Sequence, residues 1–246
     1  MADAPIPSFD HVIEEGVALQ RYVSSLDMVA VGGTAAALHA GHRYSTDVDH
    51  VTALLREQFD AVSDSLEHWE GWTTNRMNRP VAILGERYGV ELGVRQLRRA
   101  TPLEVCMVRD LCVPTPEETL RIKVFMCTDR QATRDFVDVA ALTDHIGIER
   151  ATLALSYLNQ IYAGVGNQSR LTRFAEVARQ QPVDLDTVDL SSYRGIQPPY
   201  DEWEHVAHVC RQLADEMLAL EMDRALPANL HGYADPAKLR GGGFRG

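Results

Sequence analysis

The stretch Asp27–Val51, DMVAVGGTAAALHAGHRYSTDVDHV, constrains the fold of this chain more than any other. Its β-branched start closes on Gly32-Gly33, the pattern of a strand entering a tight turn. TAAALHA is built from strong helix formers and stops at Gly41, so a helix is expected from Thr34. TDVDHVTAL then reads as a second strand. Strand, glycine turn, helix and strand in so short a span seed an α/β layer.

The surrounding sequence extends this seed unevenly. Residues 9–26 carry Ile13, Val17, Tyr22 and Val23 at helical spacing, and Phe59, Val62 and Leu66 mark one face of a helix over 56–69. WTTNRM, PVAILGE, YGVELGVRQL and LEVCMV follow as short strand-like runs. At VPTPEETLRIKVF the texture changes. Thr115 is placed to cap a helix, Pro116 to occupy its first position, and Glu118 to complete a capping box. Helices are expected over 116–128, 134–146, 149–163, 169–180 and 200–222, with Leu153, Tyr157 and Ile161 as a core-facing stripe. A proline-bounded loop spans Pro182–Pro199, and the glycine-rich AKLRGGGFRG is expected to fray. The expected fold class is α/β (α+β). Residues 1–113 form a mixed-sheet α/β domain and residues 114–246 an all-helical domain.

With 35 acidic against 24 basic side chains the formal net charge is −11, which disfavours non-specific binding to nucleic acid but permits a local basic patch. Arg95, Arg98 and Arg99 in VRQLRRA form either such a patch or a solvated strand end. No apolar run matches a bilayer span, and MADAPIPSFD lacks the features of a secretion signal, so a cytoplasmic protein with no membrane partner is expected. The four cysteines show no zinc spacing and read as reduced, mostly buried thiols.

Asp47 and Asp49 stand at i and i+2, so on a strand both point to one face while Val48 faces the core. Two adjacent carboxylates repel unless a cation neutralises them, and oxygen-only ligation suits Mg²⁺ or Mn²⁺. The Gly32-Gly33 turn lets backbone approach a phosphate, and the following helix aims its N–H groups at the same place. Thr34 adds a hydroxyl. A phosphate cradle beside a metal pair suits phosphoryl or nucleotidyl transfer by in-line displacement.

GGT followed by D-x-D resembles the DNA polymerase β-type nucleotidyltransferase superfamily. Within it, Gly32-Gly33-Thr34 leading to Arg43-Tyr-Ser45-Thr-Asp47-Val-Asp49 resembles the AbiEii/AbiGii toxin family, including the MenT-type tRNA nucleotidyltransferases. Lys123 in TLRIKVF and the later Arg134-Asp135-Phe-Val-Asp138 continue the resemblance over residues 28 to 145. It implies that Asp47 and Asp49 hold the catalytic metal, that Gly32, Gly33 and Thr34 hold the triphosphate of an NTP substrate, and that Lys123 neutralises phosphate. It implies a place for Asp138 that orients Lys123 or the attacking group. It further implies an RNA acceptor, the tRNA 3′ end, and a cognate antitoxin protein. Polymerase-like sites commonly add a third carboxylate, for which Glu91 is the candidate, with a metal or Arg95 as its partner. Arg43 contacts the nucleotide, fixes the Ser45 loop or forms a plain structural ion pair.

Three other readings accompany these. Ser45, two residues before Asp47, is a candidate regulatory position, because a phosphate there would compete for metal and repel the triphosphate. The acidic net charge also suits a small-molecule nucleotidyltransferase acting on a cationic aminoglycoside, and a non-catalytic NTP-binding module is the third possibility. Locally, Lys123 also reads as an exposed helix cation, Asp138 as a surface partner of Arg134, and His42 as a packing residue. Tyr200 and Trp203 read as helix packing in preference to a stacking surface for a base, and His205 with His208 as a helical pair rather than a metal site.

Overall fold

The computed structural model describes residues 6–163 and 169–225. The first half runs α1 (Phe9–Tyr22), β1 (Val29–Val31), α2 (Gly32–Ala40), β2 (Asp47–Thr52), α3 (Leu55–Glu67), β3 (Trp72–Asn78), β4 (Ala82–Arg87) and β5 (Val90–Gln96). Five strands form one mixed sheet in the order β1-β2-β5-β4-β3, with only β2 and β5 parallel. A separate hairpin, β6 (Val105–Val108) with β7 (Leu111–Pro114), leads out of this half; the sequence pattern had not marked β7 as a strand. The second half is helical: α4 (Pro116–Arg130), α5 (Thr133–Ile146), α6 (Ile148–Leu155), α7 (Leu158–Ile161), α8 (Arg170–Val177) and α9 (Trp203–Ala225).

Strand alternation explains which face of the sheet is covered. Val48, Leu92, Val94 and Ile83 are buried with Val12 and Ile13 of α1 and Phe59, Val62 and Leu66 of α3 in one apolar cluster. Residues between them, Asp47, Asp49, Glu86 and Glu91, point the other way and are half-buried or exposed. A second apolar cluster joins Ala36 of α2 to α4, α5, α6, α8 and α9 through Leu120, Phe136, Leu155, Phe174 and Leu213. α2 therefore faces both clusters, with Ala35 in the first and Ala36 in the second.

Several sequence expectations shift. α2 spans Gly32–Ala40 rather than starting at Thr34, and Gly32 makes the turn into it with φ +76°, where glycine pays no Cβ penalty. Thr115 caps α4 by accepting from the Glu118 N–H at 3.3 Å, but Glu118 does not reach back. Its buried carboxylate instead binds Arg99 at 2.7 Å and Arg121 at 2.9 Å. The helix expected over 149–163 breaks after Leu155, where the Ser156 hydroxyl donates to the Leu153 carbonyl. Leu153 lies on the outer face of α6 and Tyr157 follows the break, 55% and 48% exposed, and the core is filled by Ala151, Leu155 and Leu158 instead. The loop from Pro182 holds two short 3₁₀ turns. The glycine-rich end of the chain lies outside the described residues. All four cysteines are free, Cys127 and Cys210 buried and Cys106 and Cys112 half-buried.

Candidate functional site

Asp47 opens β2 and Asp49 follows on the same face, with Val48 between them only 1% exposed on the other. Pairing with β5 sets Asp47 opposite Glu91 and Asp49 opposite Gly93, so all three carboxylates share the uncovered face. Glu91 was expected to be buried with a partner, a metal or Arg95. It is exposed, and Arg95 serves Asp49 instead, its Nε donating to Oδ1 at 2.9 Å. Among the described residues Glu91 has no ion pair or hydrogen bond.

Each aspartate is anchored through one oxygen. Ser45 Oγ donates to Asp47 Oδ1 at 2.8 Å, while Arg95 holds Asp49 Oδ1. Oδ2 of each has no partner among the described residues. Half-exposed carboxylate oxygens with spare lone pairs fit a hard divalent cation of the Mg²⁺ or Mn²⁺ kind. No group of three or more His, Cys, Asp or Glu is gathered as a metal cluster among the described residues. That is compatible with Mg²⁺, which is usually held by one or two carboxylates together with substrate phosphates and water.

The helix beside this pair has an open N-terminus. Val31, its N-cap residue, pairs with Asp49 across β1 and β2 and contributes no side-chain cap. The first N–H groups of α2 are therefore not consumed by a capping side chain, which is the arrangement that receives anions. Gly33 is required by its neighbours: a Cβ there would lie 2.8 Å from Arg43 Nη2 and 3.1 Å from Ser45 Oγ. Thr34 was expected to offer its hydroxyl to phosphate. It is buried, and the hydroxyl donates to the Asp47 carbonyl at 2.5 Å, fixing α2 against β2.

Behind the glycines lies a buried charge cluster. Arg43 grips Asp138 with two parallel bonds, Nε to Oδ1 at 2.8 Å and Nη2 to Oδ2 at 3.0 Å. His42 Nε2 lies 2.8 Å from the same Oδ1. Lys123 Nζ stands 2.6 Å from Asp138 Oδ2 and 3.1 Å from Asp135 Oδ1, and Arg130 binds Asp135 with two bonds. Burial alone would push the Asp138 carboxyl up. Arg43 above all, then Lys123 and His42, outweigh it and hold the group well below the usual carboxylate range. Asp138 thus pairs with Lys123, Arg43 and His42, and it does not pair with Arg134. Lys123 is not an exposed helix cation; it is 3% exposed. Arg43 forms the structural ion pair that was one of its expected roles, with its Nη2 against the Gly33 turn. Within the buried cluster Arg43 and Lys123 balance Asp135 and Asp138, and Arg130, the third cation, stands exposed at its edge.

The sequence reading passed over Gly93. A Cβ at this position would lie 2.0 Å from Asp49 Oδ1, so its glycine makes room for the carboxylate. The available signal was a glycine inside the apolar strand YGVELGV, which marks close approach by a neighbour. Other expectations resolve simply. Tyr200 donates to Asp144 and Trp203 packs edge-on against Phe136, as helix packing. His205 lies 3.3 Å from Asp144. Of the arginine cluster, Arg99 is buried on Glu118 and Arg98 is exposed.

No family model matches the chain. Among curated proteins it is 32% identical over 111 residues to the mycolic acid-containing lipids exporter MmpL11 of Mycolicibacterium smegmatis, a match covering 44% of this chain and 11% of that protein. The chain thus spans a small fraction of the length of the curated relatives it matches. No helix among the described residues is long and apolar enough to cross a membrane. Among solved structures, JHP933 from Helicobacter pylori superposes with a TM-score of 0.53 at 16% identity, over 92% of this chain and 98% of its own. The two share a fold, a mixed-sheet α/β half followed by a helical half. At this identity the likeness speaks for the fold alone. The crystal structure of ANT(2'')-Ia in complex with adenylyl-2''-tobramycin overlaps at a TM-score of 0.46 and 12% identity, covering 62% of this chain and 98% of that one. That overlap is too loose to carry weight.

Proposed function

We propose that the chain is a nucleotidyltransferase that moves an NMP from an NTP onto a hydroxyl of an RNA acceptor, the tRNA 3′ end being the acceptor that its sequence motifs imply. The observation that carries this reading is the shared open face of Asp47, Asp49 and Glu91 beside the uncapped start of α2. Asp47 and Asp49 would hold Mg²⁺ or Mn²⁺, which supplies charge neutralisation at the α-phosphate and lowers the cost of forming the attacking alkoxide. The N–H groups opening α2 bind the β- and γ-phosphates. The acceptor oxygen bonds to the α-phosphorus as the bond to the bridging oxygen breaks, and pyrophosphate leaves. Glu91, exposed on the same face, would take the hydroxyl proton. Thr34, Ser45 and Arg95 hold the two aspartates in position.

The cognate biology implied by the AbiEii-type resemblance is growth arrest by the enzyme and its neutralisation by an antitoxin protein. A cytoplasmic location follows from the need for tRNA and NTP. Incubating the protein with α-labelled NTPs, Mg²⁺ and either total tRNA or a panel of aminoglycosides tests the reading. Label in tRNA that is lost in Asp47→Ala supports it. Label in an aminoglycoside alone replaces it with the small-molecule reading, and NTP binding without transfer to either replaces it with a binding module.

A further inference from the structure

β3 contains a bulge whose effect reaches the carboxylate face. Thr74 pairs with Gly85 and Arg76 with Leu84, so Asn75 is an extra residue in the strand. Thr74 touches α3 through Glu67, and Met77, three residues on, touches α3 through Ser63. Strict alternation would not allow both contacts from one face. The slip at Asn75 resolves this and turns Arg76 and Asn78 onto the face that carries Asp47, Asp49 and Glu91.

The pairings then draw two rows across the sheet. Arg76, Leu84, Gly93 and Asp49 form one; Asn78, Ala82 and Arg95 form the next. Arg76, Asn78 and Arg95 enclose a cavity of about 140 Å³ over Ala82 and Leu84. Arg95 commits its Nε to Asp49, which leaves its terminal nitrogens for the cavity. Arg76 is exposed and has no ion pair among the described residues. In a chain with 35 acidic against 24 basic side chains, two arginines share a cavity whose lining contains no carboxylate. Arginine forks of this kind match phosphate oxygens.

We propose that this cavity binds a backbone phosphodiester of the acceptor RNA, upstream of the hydroxyl that receives the nucleotide. The proposal rests on the transferase reading above and names how that site takes its acceptor. Arg76 stands three strand spacings from Asp49, about 14 Å between Cα atoms. That separation places the cavity away from the NTP phosphates at α2 and along the path of an acceptor strand whose end lies at the aspartates. Arg95 touches both places, so a phosphate drawn to its terminal nitrogens fixes the side chain that holds Asp49. A cationic aminoglycoside has no use for two arginines here.

The test compares wild type, Arg76→Glu, Arg76→Ala, Asn78→Ala and, as a charge control on the far helix α9, Arg211→Glu. Direct binding of a fluorescent single-stranded RNA oligonucleotide is measured by anisotropy across a salt series, and transfer kinetics with tRNA are measured alongside. Expected for Arg76→Glu is at least a tenfold weaker Kd, a salt slope shallower by about one, and a rise in the tRNA KM that exceeds the fall in kcat. Arg76→Ala is expected to show the same changes in smaller measure, and Arg211→Glu none. Unchanged RNA affinity and KM in both Arg76 variants, with normal thermal melting, overturn the proposal, as does an equal loss in Arg211→Glu. If wild type transfers no nucleotide yet binds the oligonucleotide through Arg76, the cavity stands and the transferase reading falls.

Discussion

Replacing Gly93 by alanine isolates the position of one carboxylate. The added methyl carbon would sit 2.0 Å from Asp49 Oδ1 and 3.1 Å from Leu84 Cδ2. Real Cβ contacts stay beyond 3.0 Å, so the oxygen must retreat by at least about 1 Å. The Arg95 bond to the same oxygen, 2.9 Å in length, breaks with it. Gly93 does not have a left-handed backbone, so alanine adopts its conformation, and the lost chain entropy of the unfolded state favours the variant by about 0.4–1 kcal/mol. The carboxylate can swing toward solvent at little cost, so the thermal midpoint moves by only a few degrees. Activity responds differently. A reacting group displaced by about 1 Å costs about a hundredfold, or about 2.7 kcal/mol of transition-state stabilisation. The assay is transfer of label from α-labelled NTP to tRNA, read as kcat/KM, with melting followed in parallel. Wild-type kcat/KM in a folded Gly93→Ala variant would refute the claim that Asp49 must stand where the structure holds it.

Asp138→Asn removes the carboxylate shared by Arg43, Lys123 and His42 and leaves buried cations without a counter-charge, a loss of about 3–5 kcal/mol. Calorimetry should show a midpoint roughly 6–20 °C lower for a chain of this size. Because the folded carboxyl is held below its unfolded value of about 3.9, its stabilisation is complete above that pH and fades as pH falls through the folded value. The variant should therefore lose less stability than wild type on acidification below about pH 4. Ser45→Asp should abolish transfer, since a second negative group would replace the hydroxyl that donates to Asp47; retention of wild-type activity would remove Ser45 as a regulatory position. Glu91→Gln should lower kcat by about 10²–10⁴-fold with little change in the NTP KM if Glu91 takes the proton, and should leave melting unchanged because the side chain is exposed.

Local chemistry made the aspartate pair legible. An i, i+2 spacing fixes a shared face wherever the strand pairs, and two glycines before a helix former mark the turn beside it. The capping Thr115 likewise announced the start of the helical half through its own side chain. What was hidden depends on partners distant in sequence. Glu118 looked like the second half of a capping box, yet Arg99 and Arg121 compete for it with charge. Asp138 looked like a partner of Arg134, one turn away, and is claimed by Arg43, 95 residues earlier. Leu153 and Tyr157 fit one face of an unbroken helix, but α6 turns a different face, Ala151 and Leu155, to the core and ends before Tyr157. The bulge at Asn75 has no sequence mark at all, since it arises from the fit of β3 to β4 and α3 together.

Binding of Mn²⁺ together with a non-hydrolysable NTP, followed by electron paramagnetic resonance in wild type and in Asp47→Asn/Asp49→Asn, tests most directly whether this corner of the sheet is a metal-nucleotide site. The account predicts one tightly held Mn²⁺ per chain in wild type, strengthened by nucleotide and lost in the double variant. Equal binding by both proteins, or none by wild type, would contradict it.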